Sequence, residues 1–180
     1  DLSYLFLGSV PPLPEWIEML SLIHNELDSI HVPESCKELE VDFNNLTEFP
    51  QVPDGITLIS VNNNLISHID SFPPKAKIIS ICHNKLSEIP TIPDAAKVFD
   101  CSENNIKEIR WFPKNLKEVH IEYNKIEVIP AIPGNLKLLF MELRGYDIPR
   151  ASKYEHCQMA ECAILQAFSV TDIRLIERLD

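Results

Sequence analysis

One short pattern recurs along this chain at a fixed spacing. In its clearest copy, Leu39-Glu40-Val41-Asp42-Phe43-Asn44-Asn45-Leu46-Thr47-Glu48-Phe49-Pro50-Gln51-Val52-Pro53, apolar residues alternate, an asparagine follows, and two spaced prolines close the unit. Asparagines stand at Asn44, Asn64, Asn84, Asn104 and Asn124, a step of 20 residues. Pro53, Pro73, Pro93, Pro113 and Pro133 keep that step, as do Leu46, Ile66, Leu86, Ile106 and Ile126. Three columns in phase at constant period mark a solenoid, in which each unit closes one coil and stacks on the last.

The residue types dictate what a coil looks like. Leu39-x-Val41 alternates apolar with polar residues, so it predicts a short strand with one face inward. Its counterparts are Ile59/Val61, Ile79/Ile81, Phe99/Cys101, Val119/Ile121 and Leu139/Met141. The following asparagine can bond the backbone of its own turn and of the neighbouring coil. Stacking predicts a ladder from Asn25, Asn44, Asn64, Asn84, Asn104 and Asn124, hydrogen-bonded so that burying its amides carries no penalty. The return side turns Leu46, Phe49 and Val52 inward, and its prolines favour extended over helical backbone. The expected fold is a solenoid: a parallel sheet on the concave face, an extended or polyproline convex face, few helices, and a short helical C-terminal cap.

The pattern resembles the short, twenty-residue bacterial class of leucine-rich repeats. Asn45-Leu46-Thr47-Glu48-Phe49-Pro50 and Ile129-Pro130-Ala131-Ile132-Pro133-Gly134-Asn135-Leu136-Lys137 match its habit of ending a repeat in two spaced prolines and opening the next with Asn-Leu-Lys. That class includes YopM-like effectors and the repeat domains of IpaH-like ubiquitin ligases, and the likeness spans residues 1 to 145. The resemblance implies a protein secreted by a bacterium into the host-cell cytoplasm, where it binds a host protein. It equally admits the substrate-recognition part of a longer ligase. Such ligases use a Cys-x-Asp cysteine on a separate helical domain, and neither occurs here; Cys101-Ser102-Glu103 reads as ordinary repeat sequence.

Residues 1–33 read as an N-terminal cap with irregular coils. Leu2, Leu5, Leu7, Val10 and Pro14 partly fit the pattern without its asparagine. Leu20 to Pro33 fits it in a coil one residue short, unless Trp16 to Leu20 opens a helical turn. Residues 34–148 carry the regular solenoid, with five full coils from 34 to 133 and a decaying one in which Arg144 replaces the asparagine. From Pro149 the character changes. Ser152-Lys153-Tyr154-Glu155 is a capping box, and Tyr154, Ala160, Cys162, Ala163, Leu165 and Phe168 suit a helix, with a second from Thr171. This segment, 149–180, is expected to cap the open end of the stack, or to join the solenoid to another domain or a second copy, so oligomerisation through these helices stays open.

A net charge of −11 argues against nucleic acid and anionic membrane as partners. No apolar run is long enough to cross a membrane, and no signal-peptide pattern shows. The chain starts at Asp1 rather than methionine, which leaves a longer protein open. Five cysteines, Cys36, Cys82, Cys101, Cys157 and Cys162, are an odd set without the paired arrangement of secreted caps, so reduced thiols are expected. Cys36 and Cys101 fall on inward columns. His156, Cys157 and Cys162 lack zinc spacing, and no phosphate loop, nucleophile elbow or metalloprotease motif occurs. No metal, cofactor or catalytic residue is expected.

The surface carries the remaining information. Residues alternating with the core point outward from the concave sheet. They place Glu40, Asp42, Asn62, Asp100 and Glu122 beside Phe43, His83, Glu103, His120 and Tyr123, an acidic face with dispersed aromatics suited to a partner with a basic surface. Phe43 and Tyr123 serve equally well as covers for the asparagine ladder. Lys37, Lys77, Lys97, Lys117 and Lys137 form a rim, a solvated sheet edge in the first instance, and Trp111 stands out on the convex side.

Overall fold

The computed structural model describes residues 1–127 and 130–141, and the backbone of 163–166. Seven three- or four-residue strands repeat once per coil: β1 Met19–Ser21, β2 Glu38–Glu40, β3 Leu58–Ser60, β4 Ile78–Ser80, β5 Val98–Asp100, β6 Glu118–His120 and β7 Leu138–Met141. They pair in sequence order and all in parallel. Leu39 sits opposite Ile59, Ile59 opposite Ile79, Ile79 opposite Phe99, and Phe99 opposite Val119. Leu20 opposes Leu39, one residue off the regular step, as the shortened first coil requires.

Each strand begins after the same turn. The carbonyl of the column proline accepts from the amide three residues on, Pro53 from Ile56 at 3.1 Å and Pro93 from Ala96 at 2.9 Å. Proline can occupy that place because the turn needs its carbonyl and not an amide. Pro14 makes the turn with Ile17, so Trp16 lies in a turn and not in a helix. No helix occurs among the described residues, and the return segments are extended.

The core is a continuous rod. Leu39, Val41, Leu46, Ile56, Ile59, Val61, Ile66, Ile79, Ile81, Leu86, Phe99 and Ile106 are fully buried. Phe49, Phe72 and Phe99 form an edge-to-face chain with centroids 6.1 and 5.9 Å apart, joining the convex wall to the sheet. Cys36 and Cys101 are buried within it as small apolar residues.

Residues 1–14 make the first coil even without a ladder asparagine. Leu2 donates to Ser21 O at 2.9 Å and Tyr4 to Ile23 O at 2.8 Å, the pattern repeated by every later coil. At the other end, four residues expected to be helical are not. Ala163–Gln166 form β8, which pairs parallel with β7, Leu139 opposite Ile164. A strand there satisfies the row of amides and carbonyls that β7 would otherwise expose at the sheet edge, which a helix lying across it could not. The rest of the expected cap, including Ser152 to Cys162 and the segment from Thr171, lies outside the described residues, as does Arg144.

Candidate interaction face

The asparagine column builds the frame for the concave face. Asn84 Nδ2 donates to Val61 O on the preceding coil at 3.0 Å and to Ile81 O and Cys82 O on its own, at 3.2 and 3.1 Å. Its Oδ1 accepts from Ile66 N at 3.0 Å. Asn44, Asn64 and Asn104 repeat this set, and Asn25 and Asn124 make its equivalents at the two ends. All six are buried except Asn124, which is half-buried. To aim its amide inward, the chain must turn sharply just before each asparagine. His24, Phe43, Asn63, His83, Glu103 and Tyr123 accordingly adopt left-handed backbone, with φ from 52° to 55°. Asparagine visits this region readily; the others are held there by the turn of the coil.

The face then reads in columns. Glu40, Asp100 and His120 end strands β2, β5 and β6; Asp42, Asn62 and Glu122 follow two residues after a strand end; Phe43, His83, Glu103 and Tyr123 occupy the left-handed turn. Asp42 and Asn62 are in contact: Asn62 N donates to Asp42 Oδ1 at 2.7 Å, and Ser60 Oγ donates to the same carboxylate at 2.8 Å. Asn62 in turn accepts from Cys82 N and Ser80 Oγ. Asp100 accepts from Ser102 N and Oγ. These carboxylates therefore brace turns as well as carrying charge. Glu40 makes no side-chain bond among the described residues. His83 Nδ1 lies 2.9 Å from Glu103.

His120 is the electrostatic centre of the far half. Glu122 lies 3.7 Å from Nδ1 and Glu118 2.8 Å from Nε2. Together with the charge of Asp100 they outweigh burial and push the imidazole from its ordinary 6.5 up to about 9. Glu122 is the farther of the two yet the stronger, because its side chain is 14% exposed against 35% for Glu118. Near neutral pH His120 is thus a cation, and it stacks on Phe140 with centroids 4.2 Å apart. The second oxygen of Glu122 is buried without a hydrogen-bond partner among the described residues.

Phe43 and Tyr123 are 45% and 47% exposed. Phe43 extends a stack with His24 and Tyr4, at 4.1 and 4.7 Å, whereas Tyr123 stands apart from that stack. Cys82 opens onto the same face, but burial and the carboxylates of Asp100, Asp42 and Glu103 push its thiol up to about 12. Cys36 and Cys101 are raised too, chiefly by burial. These thiols are kept protonated, the opposite of what a nucleophile requires. No group of metal-ligating side chains gathers among the described residues. Trp111 is exposed on the convex side, 41% open.

One column escaped the sequence: Leu58, Ile78 and Val98, which face the concave side one residue before each buried strand position. Alternation counted backwards from Ile59, Ile79 and Phe99 would have found it.

No protein-family model and no curated protein matches the chain. Solved structures do. YopM from Yersinia enterocolitica WA-314 superposes with a TM-score of 0.73 at 25% identity, over 76% of this chain and 31% of that one. The chain therefore spans about a third of that protein's length. A Shigella effector LRR domain matches at 0.67 and 20% identity, over 83% of this chain and 81% of the other. The functional domain of InlJ from Listeria monocytogenes matches at 0.69 and 19% identity, over 88% and 36%. The chain is a leucine-rich-repeat solenoid, and the solved proteins it resembles are bacterial leucine-rich-repeat proteins, YopM among them.

Proposed function

We propose that this chain is a protein-interaction module of a secreted bacterial effector, acting in the host-cell cytoplasm and holding a host protein against its concave face. The supporting observation is that three coils place carboxylates on the concave side, Glu40 with Asp42, Asp100 with Glu103, and Glu122, at or just after the ends of parallel strands of one sheet, beside the exposed rings of Phe43 and Tyr123. Carboxylates on one face raise the local concentration of a basic surface, and the rings supply area that loses water on contact. Asn62, His83 and His120 complete the face with hydrogen-bonding groups. The mechanism is steric capture: the sheet is already ordered, so binding costs the solenoid little entropy.

The test uses carboxylates that brace no backbone. Glu40→Lys with Glu103→Lys should abolish capture of a host protein first identified from lysate by mass spectrometry and then purified, while the thermal midpoint stays within a few degrees. Unchanged affinity between the two purified proteins would remove the acidic rim from the reading. A second reading, the recognition part of a longer effector ubiquitin ligase, draws support from the likeness to a chain described as an effector LRR domain. Sequencing the full reading frame decides it, through the presence or absence of a following helical domain with a Cys-x-Asp motif.

A further inference from the structure

The concave sheet has a second edge of opposite character. The strand-opening column runs Met19, Glu38, Leu58, Ile78, Val98, Glu118, Leu138 in register. At its centre Leu58, Ile78 and Val98 stand side by side; Ile78 is 39% exposed and its neighbours are half-buried. One residue earlier runs the lysine row. Lys97 N bonds Lys77 O, Lys117 N bonds Lys97 O and Lys137 N bonds Lys117 O, each at 2.8 Å, so these side chains leave the edge one coil apart. Lys37 meets Glu18. Lys77, Lys97, Lys117 and Lys137 meet no carboxylate at salt-bridge distance among the described residues.

Like charges stacked on neighbouring strands repel, yet among the described residues this row holds a single acid, Glu18, which pairs with Lys37. An apolar stripe bordered by Lys77 and Lys97, with Lys117 one coil further on, none of them paired with a carboxylate among the described residues, is complementary to a ligand that is apolar on one face and acidic along its flank. Spacing selects the backbone of that ligand. Strands about 4.8 Å apart put the three apolar side chains across roughly 10 Å. On a helix, positions i, i+3 and i+7 span about 10.5 Å at successive intervals of about 4.5 and 6 Å. An extended segment places alternate residues nearly 7 Å apart and drifts out of register.

We propose that Leu58, Ile78 and Val98, with Lys77, Lys97 and Lys117, form a docking surface for an amphipathic helix of a partner protein, lying along the solenoid axis with its Asp/Glu flank on the lysine row. Nucleic acid fits this edge poorly, because its phosphates carry charge at every step and would meet Glu38 and Glu118 at the two ends of the stripe and Asp100 beside it, whereas a helix can confine its acids to the lysine side. Its lining residues are distinct from those of the acidic rim, although Asp100 of that rim borders it on β5.

A fluorescein-labelled helical peptide about three turns long, with leucines at i, i+3 and i+7 and glutamates on the flank, probes it directly. Its counterpart carries lysine for every glutamate, and an oligothymidylate of equal charge serves as a third ligand. The acidic peptide should bind at least about tenfold tighter than the lysine peptide, against the net field of the protein, and weaken with added salt. Ile78→Ser with Val98→Ser should weaken it by about tenfold, and Lys77→Glu with Lys97→Glu, which leaves the core untouched, should reverse the preference. Glu40→Lys with Glu103→Lys should leave acidic-peptide binding in place, which separates this surface from the acidic rim. The proposal is overturned by equal binding of the two peptides, by indifference to the lysine reversal, or by equal binding of the oligonucleotide. It is also overturned by a doubled mass in sedimentation that Ile78→Ser abolishes, since a second copy would then be the occupant.

Discussion

Replacing Asn84 by alanine should cost this protein a large part of its stability. In the middle of the stack Asn84 Oδ1 is the acceptor for Ile66 N, and Nδ2 is a donor to Val61 O, both on the preceding coil and both buried. Alanine leaves the Ile66 amide without a partner where water cannot enter, at about 1–3 kcal/mol, and removes one of two donors from Val61 O, which keeps Asn64 Nδ2 at 3.1 Å, at about 0.5–1.5 kcal/mol. The expected loss is therefore about 1.5–4.5 kcal/mol, against about 5–15 kcal/mol for a typical domain. Asn124→Ala removes the same kind of bonds from a half-buried position near the end of the described ladder and should cost less, about 1–2 kcal/mol. Urea unfolding followed by circular dichroism measures both. Asn84→Asp refines the test: it keeps an acceptor for Ile66 N but faces three carbonyls with a carboxylate. Its folded-state pKa must rise, because only the protonated acid can donate to them. Its deficit relative to wild type should then shrink as pH falls toward the unfolded-state carboxyl value. A cost below about 1 kcal/mol for Asn84→Ala, or equal costs at the two positions, would refute the ladder as the source of coil-to-coil cohesion.

Further outcomes follow from the face. His120 has a folded pKa of about 9 against an ordinary 6.5, so its ion pairs add stability that is fully present below pH 6.5 and lost as pH rises through 9. The stability gap between wild type and His120→Gln should close across that window, and the imidazole resonances should show a protonated ring at pH 7. Cys82 should react slowly with iodoacetamide in the folded protein at pH 8, at a rate that rises about tenfold per pH unit up to pH 10, because its thiol is pushed up to about 12. Asn63→Val, at φ 52°, should destabilise by about 1–2 kcal/mol in thermal melts, while Asn63→Gly stays near neutral.

The period, the asparagine ladder and the two inward columns were legible because each is a repeated chemical demand. Every coil must bury two strand residues and satisfy one backbone turn, so Leu39, Asn44 and Leu46 recur in kind. The left-handed column was not legible. His24, Phe43, Asn63, His83, Glu103 and Tyr123 share a backbone conformation but no residue type, and Tyr4 adopts it in the first coil with no asparagine after it, so the coil's turn imposes it on whatever side chain stands there. The Leu58–Ile78–Val98 stripe was masked because each stands directly before a buried apolar residue, which blurs the two-residue alternation. The cation at His120 was readable in principle: Glu118, His120 and Glu122 alternate, so a strand must put them on one face. Ala163–Gln166 misled for the opposite reason, because a short apolar run such as Ala163-Ile164-Leu165 fits a helix and a strand alike.

The arrangement of charge has a consequence for how a partner must sit. Glu40, Asp42, Asp100 and Glu103 lie at or just after the ends of β2 and β5, while Lys37 and Lys97 stand just before those strands, only three residues away. In these two coils opposite charges face each other across the sheet, whereas Glu38 and Glu118 open β2 and β6 and the coils of β3 and β4 carry no acid on the face. A ligand charged on one side alone gains from one rim and is indifferent to its direction along the stack. A ligand acidic on one flank and basic on the other meets both rims in a single orientation about its long axis, and rotating it by half a turn sets like charge against like. That penalty grows with the number of such coils spanned, while each added pair near the surface contributes only modestly. Specificity on such a face is thus expected to come from the sign pattern read over several coils, with the apolar stripe and the exposed rings setting how tightly the correctly oriented partner is held.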